Sequence, residues 1–284
     1  MAVSQLASKQ VDVKGVTFAP NNFIAELDHT KLPTDFHFIQ DFLATSPIHY
    51  ALTHPLAVSY ECVMQIWRTV QFGEESMSNK MQMTFKYDNT TYTVTPEKVE
   101  EALRLPKMGT SPADLISDAT LFAMVRQLGY NGEVTKFGTL FRTKLKQEWN
   151  FFFDTITRCF MNKTSNFDAL PRGSLTIGYS LIFSKSFDFG SFILKSLFER
   201  KSDKHGVVCF ARFLHLIFNY MCPNVVFESD VTVPIFKITE NNIKVLRASD
   251  KANGFEGKAF IPAEVRLLLQ ERMHTQYVLS SDAI

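Results

Sequence analysis

One aromatic stripe constrains this chain more than any other feature. Trp149, Phe152, Phe153, Ile156 and Phe160 recur at three- and four-residue intervals, and Phe137, Phe141 and Leu145 lead into them. An α-helix turns once in about 3.6 residues, so this spacing lines the bulky side chains along one face of a helix. Such a face has to be covered, and the chain supplies partners of the same period. Leu175, Tyr179 and Ile182 mark one helix, and Asp188 caps a second through Phe189, Phe192, Ile193 and Leu197. Phe210, Phe213, Leu214, Ile217, Phe218 and Met221 mark a third, ended by Cys222-Pro223. The 284 residues hold 27 Phe against 2 Trp and 12 Gly, and the helical spacing assigns that surplus to a packed core rather than a base-stacking surface.

The first third mixes periods. Phe36, Ile39 and Leu43 predict a short helix over Asp35 to Ala44, stopped at Ser46-Pro47. Tyr60, Val63, Met64 and Trp67 predict an amphipathic helix anchored by Trp67. Met83, Phe85 and Tyr87 then alternate with polar residues, Asp88-Asn89-Thr90 supplies turn chemistry, and Tyr92 and Val94 resume the alternation. Thr95 suits an N-cap and Pro96 a first helical turn, with Val99, Ala102 and Leu103 on the buried face and Glu100 one turn from Arg104. Ser111-Pro112 repeats the cap-plus-proline signal before a helix through Leu121, Phe122, Val125 and Leu128 that stops at Gly129. Val225 to Leu246 is β-branched around Pro234 and reads as extended chain or an edge strand. Pro262 opens a final helix through Val265, Leu268, Leu269 and Met273.

The expected fold is mainly α: a multi-helix globular bundle with a small β-hairpin near 83–94 and a short extended segment near 225–246. Residues 1–35 read as an irregular leader, 36–106 as an N-terminal helical subdomain with the hairpin, and 107–284 as a larger helical subdomain. A single continuous domain over 36–284 is the alternative.

Composition sets limits on function. With 45% hydrophobic and 21% charged residues the chain is neither disordered nor supercharged. Its longest tempting apolar run, Gly173 to Ser184, is 12 residues, short of the roughly 20 that span a bilayer. Cys62, Cys159, Cys209 and Cys222 show no CxxC spacing, and Met1 to Gln10 is polar, so the expectation is an intracellular protein, cytoplasmic or nuclear, without disulfides.

Motifs for chemistry are sparse. Asp188-Phe189-Gly190 spells the kinase metal triplet but lacks the accompanying catalytic and glycine-rich loops, so Asp188 is assigned to a helix cap. His49 and His54 could form half of a metal site, without an evident second pair of ligands. Cys209 and His215 lie six apart in one helical pattern, on different faces. No nucleophile elbow or phosphate-cradling glycine loop occurs. No catalytic, cofactor-binding or metal residue is therefore assigned, and no cofactor is expected.

Charge is uneven. The formal total is +1, but residues 111–221 carry 14 basic and 9 acidic groups, a net of +5. Arg142, Lys144 and Lys146 precede the aromatic helix, and Arg200, Lys201, Lys204 and His205 are expected in a loop between two apolar helices. If these six arginines and lysines converge they could touch phosphates or contact a partner.

Three stretches carry a family resemblance. They are Phe42 to Thr53 with the helix ending Ile66-Trp67-Arg68-Thr69; Phe85 to Pro106, reading FKYDNTTYTVTPEKVEEALRLP; and Cys159 to Pro223, with CFMNKTSNFDALP, FDFGSFIL and FARFLHLIFNYMCP. In this order they resemble the N-terminal, Gag-like region of plant retrotransposon polyproteins. The second stretch is also similar to the strand–turn–TPE–helix element of plant transposon-associated and plant mobile domains. The resemblance runs over about residues 36–225 and rests on core and turn residues. It implies a non-enzymatic protein acting by self-association or protein-partner binding. The zinc knuckle common in such Gag proteins has no counterpart in the isolated cysteines here. A nucleic-acid-binding module using 111–221 is the second expectation, and an unrecognised enzyme the third.

Overall fold

The computed structural model describes residues 11–271 apart from 20–22, 75–79, 108–115, 164, 204–205, 228–230, 239–245, 249 and 257–258. The described chain is mainly helical with small sheets. Strands β1 (Val11–Val13) and β2 (Val16–Phe18) pair antiparallel around Lys14 and Gly15, both at positive φ, where Asp12 Oδ1 accepts the Gly15 N–H. Strand β3 (Phe23–Ala25) follows, so the described part of the 1–35 leader carries three short strands rather than only irregular chain. Three-residue strands are too short to show a period, and β3 is held by a partner far along the chain.

A 3₁₀ turn leads into α1 (His37–Ala44), followed by α2 (His49–Thr53) and α3 (Tyr60–Thr69), capped by Ser59 accepting from Cys62 N. Strands β4 (Gln71–Glu74), β5 (Met81–Tyr87) and β6 (Thr90–Val94) form an antiparallel sheet in that spatial order. Asp88 and Asn89, both with φ near +50°, make the β5–β6 turn, a conformation their short polar side chains tolerate. The alternation marked β5 and β6 but not β4, whose polar residues show no alternating pattern.

Helix α4 (Pro96–Ala102) starts with Thr95 accepting from Lys98 N. The Glu100–Arg104 pair does not form. The helix ends at Ala102, Arg104 turns to φ +48° and lies 4.4 Å over the Tyr50 ring, while Glu100 points into the protein. Helix α5 (Asp118–Gln127) is capped by Ser117, whereas the Ser111-Pro112 signal lies outside the described residues. The chain continues through α6 (Gln147–Phe160), α7 (Arg172–Ile182), α8 (Phe189–Lys201) and α9 (Ala211–Met221). Over 225–246 the only strand among the described residues is β7 (Phe236–Ile238), parallel to β3 with Phe23 opposite Phe236. Leu246 is already helical rather than extended, and a last helical stretch covers 263–271.

The aromatic stripe does centre the core. Helix α6 packs against α1, α7 and β3. Phe36 meets Phe151, Phe42 meets Phe152, and Trp149 lies edge-on to Phe38 and Phe152. Helix α3 packs on β5 and α9, and α4 on α8 and α9, while α8 also reaches β5. The buried apolar residues form one cluster from Phe18 to Val265.

Candidate interaction surface

The basic residues ahead of α6 are structural. Arg142 is 6% exposed, with Nη2 2.8 Å from Asp168 Oδ1 and 3.2 Å from Asp154 Oδ1. Its Nε donates to Phe167 O and its Nη1 to Asn150 Oδ1. Asp154 also accepts from Arg158 Nε at 2.7 Å, so two guanidinium groups share one buried carboxylate. Arg142 is thereby withdrawn from any phosphate, because its donors are spent inside the protein and a buried charge stays buried only when paired. Lys144 Nζ donates to Asn253 Oδ1 at 3.0 Å and Lys146 Nζ to Glu256 O at 2.6 Å, tying the start of α6 to the 253–256 segment.

In the later group Arg200 and Lys201 are not in a loop but form the last turn of α8, and their partners differ. Arg200 donates to the Asn162 side chain and carbonyl and pairs with Asp203 at 3.0 Å. Lys201 Nζ donates to Trp67 O at 2.6 Å and sits 5.1 Å over the Trp67 ring, and burial lowers its pKa. Lys204 and His205 lie outside the described residues. Of the six candidates, then, Arg142 is interior, and Lys144, Lys146, Arg200 and Lys201 fasten neighbouring segments.

The other singled-out groups also have local partners. His49 Nε2 lies 3.3 Å from Thr53 Oγ1, which donates to its own helix at His49 O, while the His54 ring stacks on Tyr50. Burial holds both imidazoles below their ordinary pKa. Among the described residues, no group of three or more His, Cys, Asp or Glu side chains is placed to hold a metal ion. Asp188 caps α8, accepting from Ser191 N at 2.8 Å. His215 Nδ1 accepts from Ser59 N, and Cys209 is buried ahead of α9.

Glu100 was not anticipated as a buried group. It is 5% exposed, and its Oε1 accepts from Gly190 N at 3.4 Å where α4 meets α8. Burial pushes its carboxyl up to about 7; the Gly190 N–H opposes this, Asp188 and Glu97 add to it, and Lys80 opposes it. The two helices touch nearly backbone to backbone: a Cβ on Gly190 would lie 2.2 Å from Pro96 O. A cleft of about 280 Å³ opens between Pro47, Pro106, the end of α7 and Phe189. Another of about 410 Å³ is walled by Glu26, Asp28, Lys31, His49 and Lys237. There the Lys237 ammonium, 2.7 Å from Glu26, holds that carboxyl below its usual range.

Large apolar side chains reach solvent at Phe141, Phe198, Tyr220, Val226, Phe260 and Leu267. Phe198 stands apart by its setting. It is 41% exposed on the outer face of α8, and its ring lies edge-on, 5.6 Å from Phe72 on edge strand β4. Lys195 and Glu199 are exposed beside it. Phe189, Ile193 and Leu197 line the inner face of α8, but Leu194, one residue out of phase with them, is buried too, so spacing alone does not mark Phe198 as exposed.

Among the described residues, no helix is long and apolar enough to cross a membrane. No family model matches the chain, and no curated protein or solved structure matches it.

Proposed function

We propose that this chain is a non-enzymatic, transposon-derived Gag-like protein that acts inside the cell by self-association or protein-partner binding. On this reading residues 36–284 work as one continuous helical bundle, with the hairpin over 83–94 packed into it through Met83, Phe85 and Val94. One observation carries the proposal: an exposed aromatic residue, Phe198, is presented on a helix beside the edge strand of a sheet, with unlike charges next to it. Exposed aromatic side chains and open strand edges are both features that association buries.

The nucleic-acid alternative loses Arg142, which is buried, and rests on Lys144, Lys146, Arg200, Lys201 and Lys204. Size-exclusion chromatography with light scattering, paired with a salt titration of RNA and DNA binding, separates the two. Mass rising with concentration and no salt-dependent binding supports association. A constant monomer mass with binding that weakens steeply in salt supports the alternative.

A further inference from the structure

The proposed self-association leaves open which face carries it. Resting on that reading, we propose that a second copy of this chain docks across a two-fold axis on the β4 edge and the outer face of α8. Lys195 then faces Glu199 of the second copy, and reciprocally.

A two-fold contact brings a surface against itself, so the surface must be self-complementary. The exposed stripe of α8 meets that requirement. Lys195 and Glu199 lie one turn apart and are both exposed, and neither has an ion pair among the described residues. Lysine preceding glutamate is the weaker order for a pair within one helix, which leaves both charges available to a neighbour. When α8 crosses its copy antiparallel with the axis near Leu197, each Lys195 meets a Glu199, and both pairs form in one contact. The two Phe198 rings then flank the axis and lose their exposure to water.

The strand edge supports the same axis. Order β4–β5–β6 places β4 at the margin of its sheet, where half of a strand's backbone groups point away from the neighbour. Phe198 on Phe72, and Lys201 on Trp67 just before β4, bring the last turn of α8 to this margin. Antiparallel pairing of β4 with its copy, centred on Gly73, places Phe72 opposite Glu74 of the second copy twice, on the face that carries α8. Gly73 and Glu74 are both exposed. The three-stranded sheet becomes six-stranded, with two α8 helices side by side on one face. Strand addition supplies directional hydrogen bonds, and the charge pairs fix the register.

The test is a charge exchange in the full chain. Dimer dissociation constants are measured by sedimentation velocity for wild type, Lys195→Glu, Glu199→Lys and the double exchange. Each single change places like charges across the axis and weakens the dimer at least tenfold, while the double exchange restores it to within about threefold. Oxidative crosslinking gives a second readout that does not depend on affinity: Gly73→Cys forms a covalent dimer under mild oxidant, and Glu264→Cys does not. A wild-type dimer indifferent to all three charge variants, with no Gly73→Cys crosslink, overturns this surface and leaves self-association to another face, such as that of Phe260 and Leu267. A wild type that never dimerises overturns self-association itself.

Discussion

Helices α6 and α8 are both rich in Phe, and the protein uses them in opposite ways. Every residue of α6 from Glu148 to Phe160 is buried, including Asp154 and Arg158. Helix α8 buries Phe189, Ile193, Leu194 and Leu197 but leaves Lys195, Phe198 and Glu199 in solvent. Aromatic content therefore does not separate a core helix from a surface one. What separates them is whether the polar residues on the remaining face find internal partners. On α6 they do, in the network of Arg142, Asp154, Arg158 and Asp168. On α8, Lys195 and Glu199 are exposed and have no ion pair among the described residues.

The comparison breaks most severely at Asp154. Asp154→Ala leaves Arg142 and Arg158 buried without their shared carboxylate, and should cost about 3–5 kcal/mol in urea unfolding. A loss below about 1 kcal/mol would mean the α6 network is not holding the buried charges. Gly190→Ala tests the other helix at its contact with α4. The added methyl collides with Pro96 O, a backbone atom that cannot swing aside, so a loss of about 1–3 kcal/mol is expected by thermal unfolding.

Glu100 gives a pH-dependent version of the same contact. Its carboxyl titrates at about 7 when folded, against 4.5 ordinarily, so the native state holds the proton more tightly than the unfolded one. The stabilisation is complete below the unfolded value and is lost as pH rises through 7. Stability should fall by roughly 1–2 kcal/mol between pH 4.5 and 8, discounted for partial screening, and Glu100→Gln should flatten that slope. An identical slope in the variant would remove Glu100 as its source. The smallest expected effect is on the exposed face: Phe198→Ala should change the stability of the isolated monomer by less than about 0.5 kcal/mol while weakening association.

How far these features could be read from the residues depends on range. Trp149, Phe152, Phe153 and Phe160 declare their helix because the partner residues lie within a few turns. Thr95-Pro96 and Asp188 declare helix starts for the same reason. Arg142 could not be read that way. Its local string, Arg-Thr-Lys-Leu-Lys, looks like a solvated basic run, and its partner Asp168 lies 26 residues on. The β3–β7 pair joins strands that in sequence lie before α1 and after α9, and nothing in Phe23–Ala25 announces Phe236–Ile238. Glu100 spells a helix-surface pair with Arg104 until Gly190, from another helix, turns it inward. Neither the exposure of Phe198 nor its contact with Phe72 on the edge strand was legible in the spacing, since Leu194, one turn before Phe198, is buried.

Sedimentation equilibrium of the full chain over a wide concentration range tests the central claim most directly. Self-association predicts a weight-average mass that climbs from the 32.4 kDa of one chain towards twice that value as concentration rises. A mass that stays at 32.4 kDa at every concentration would contradict it.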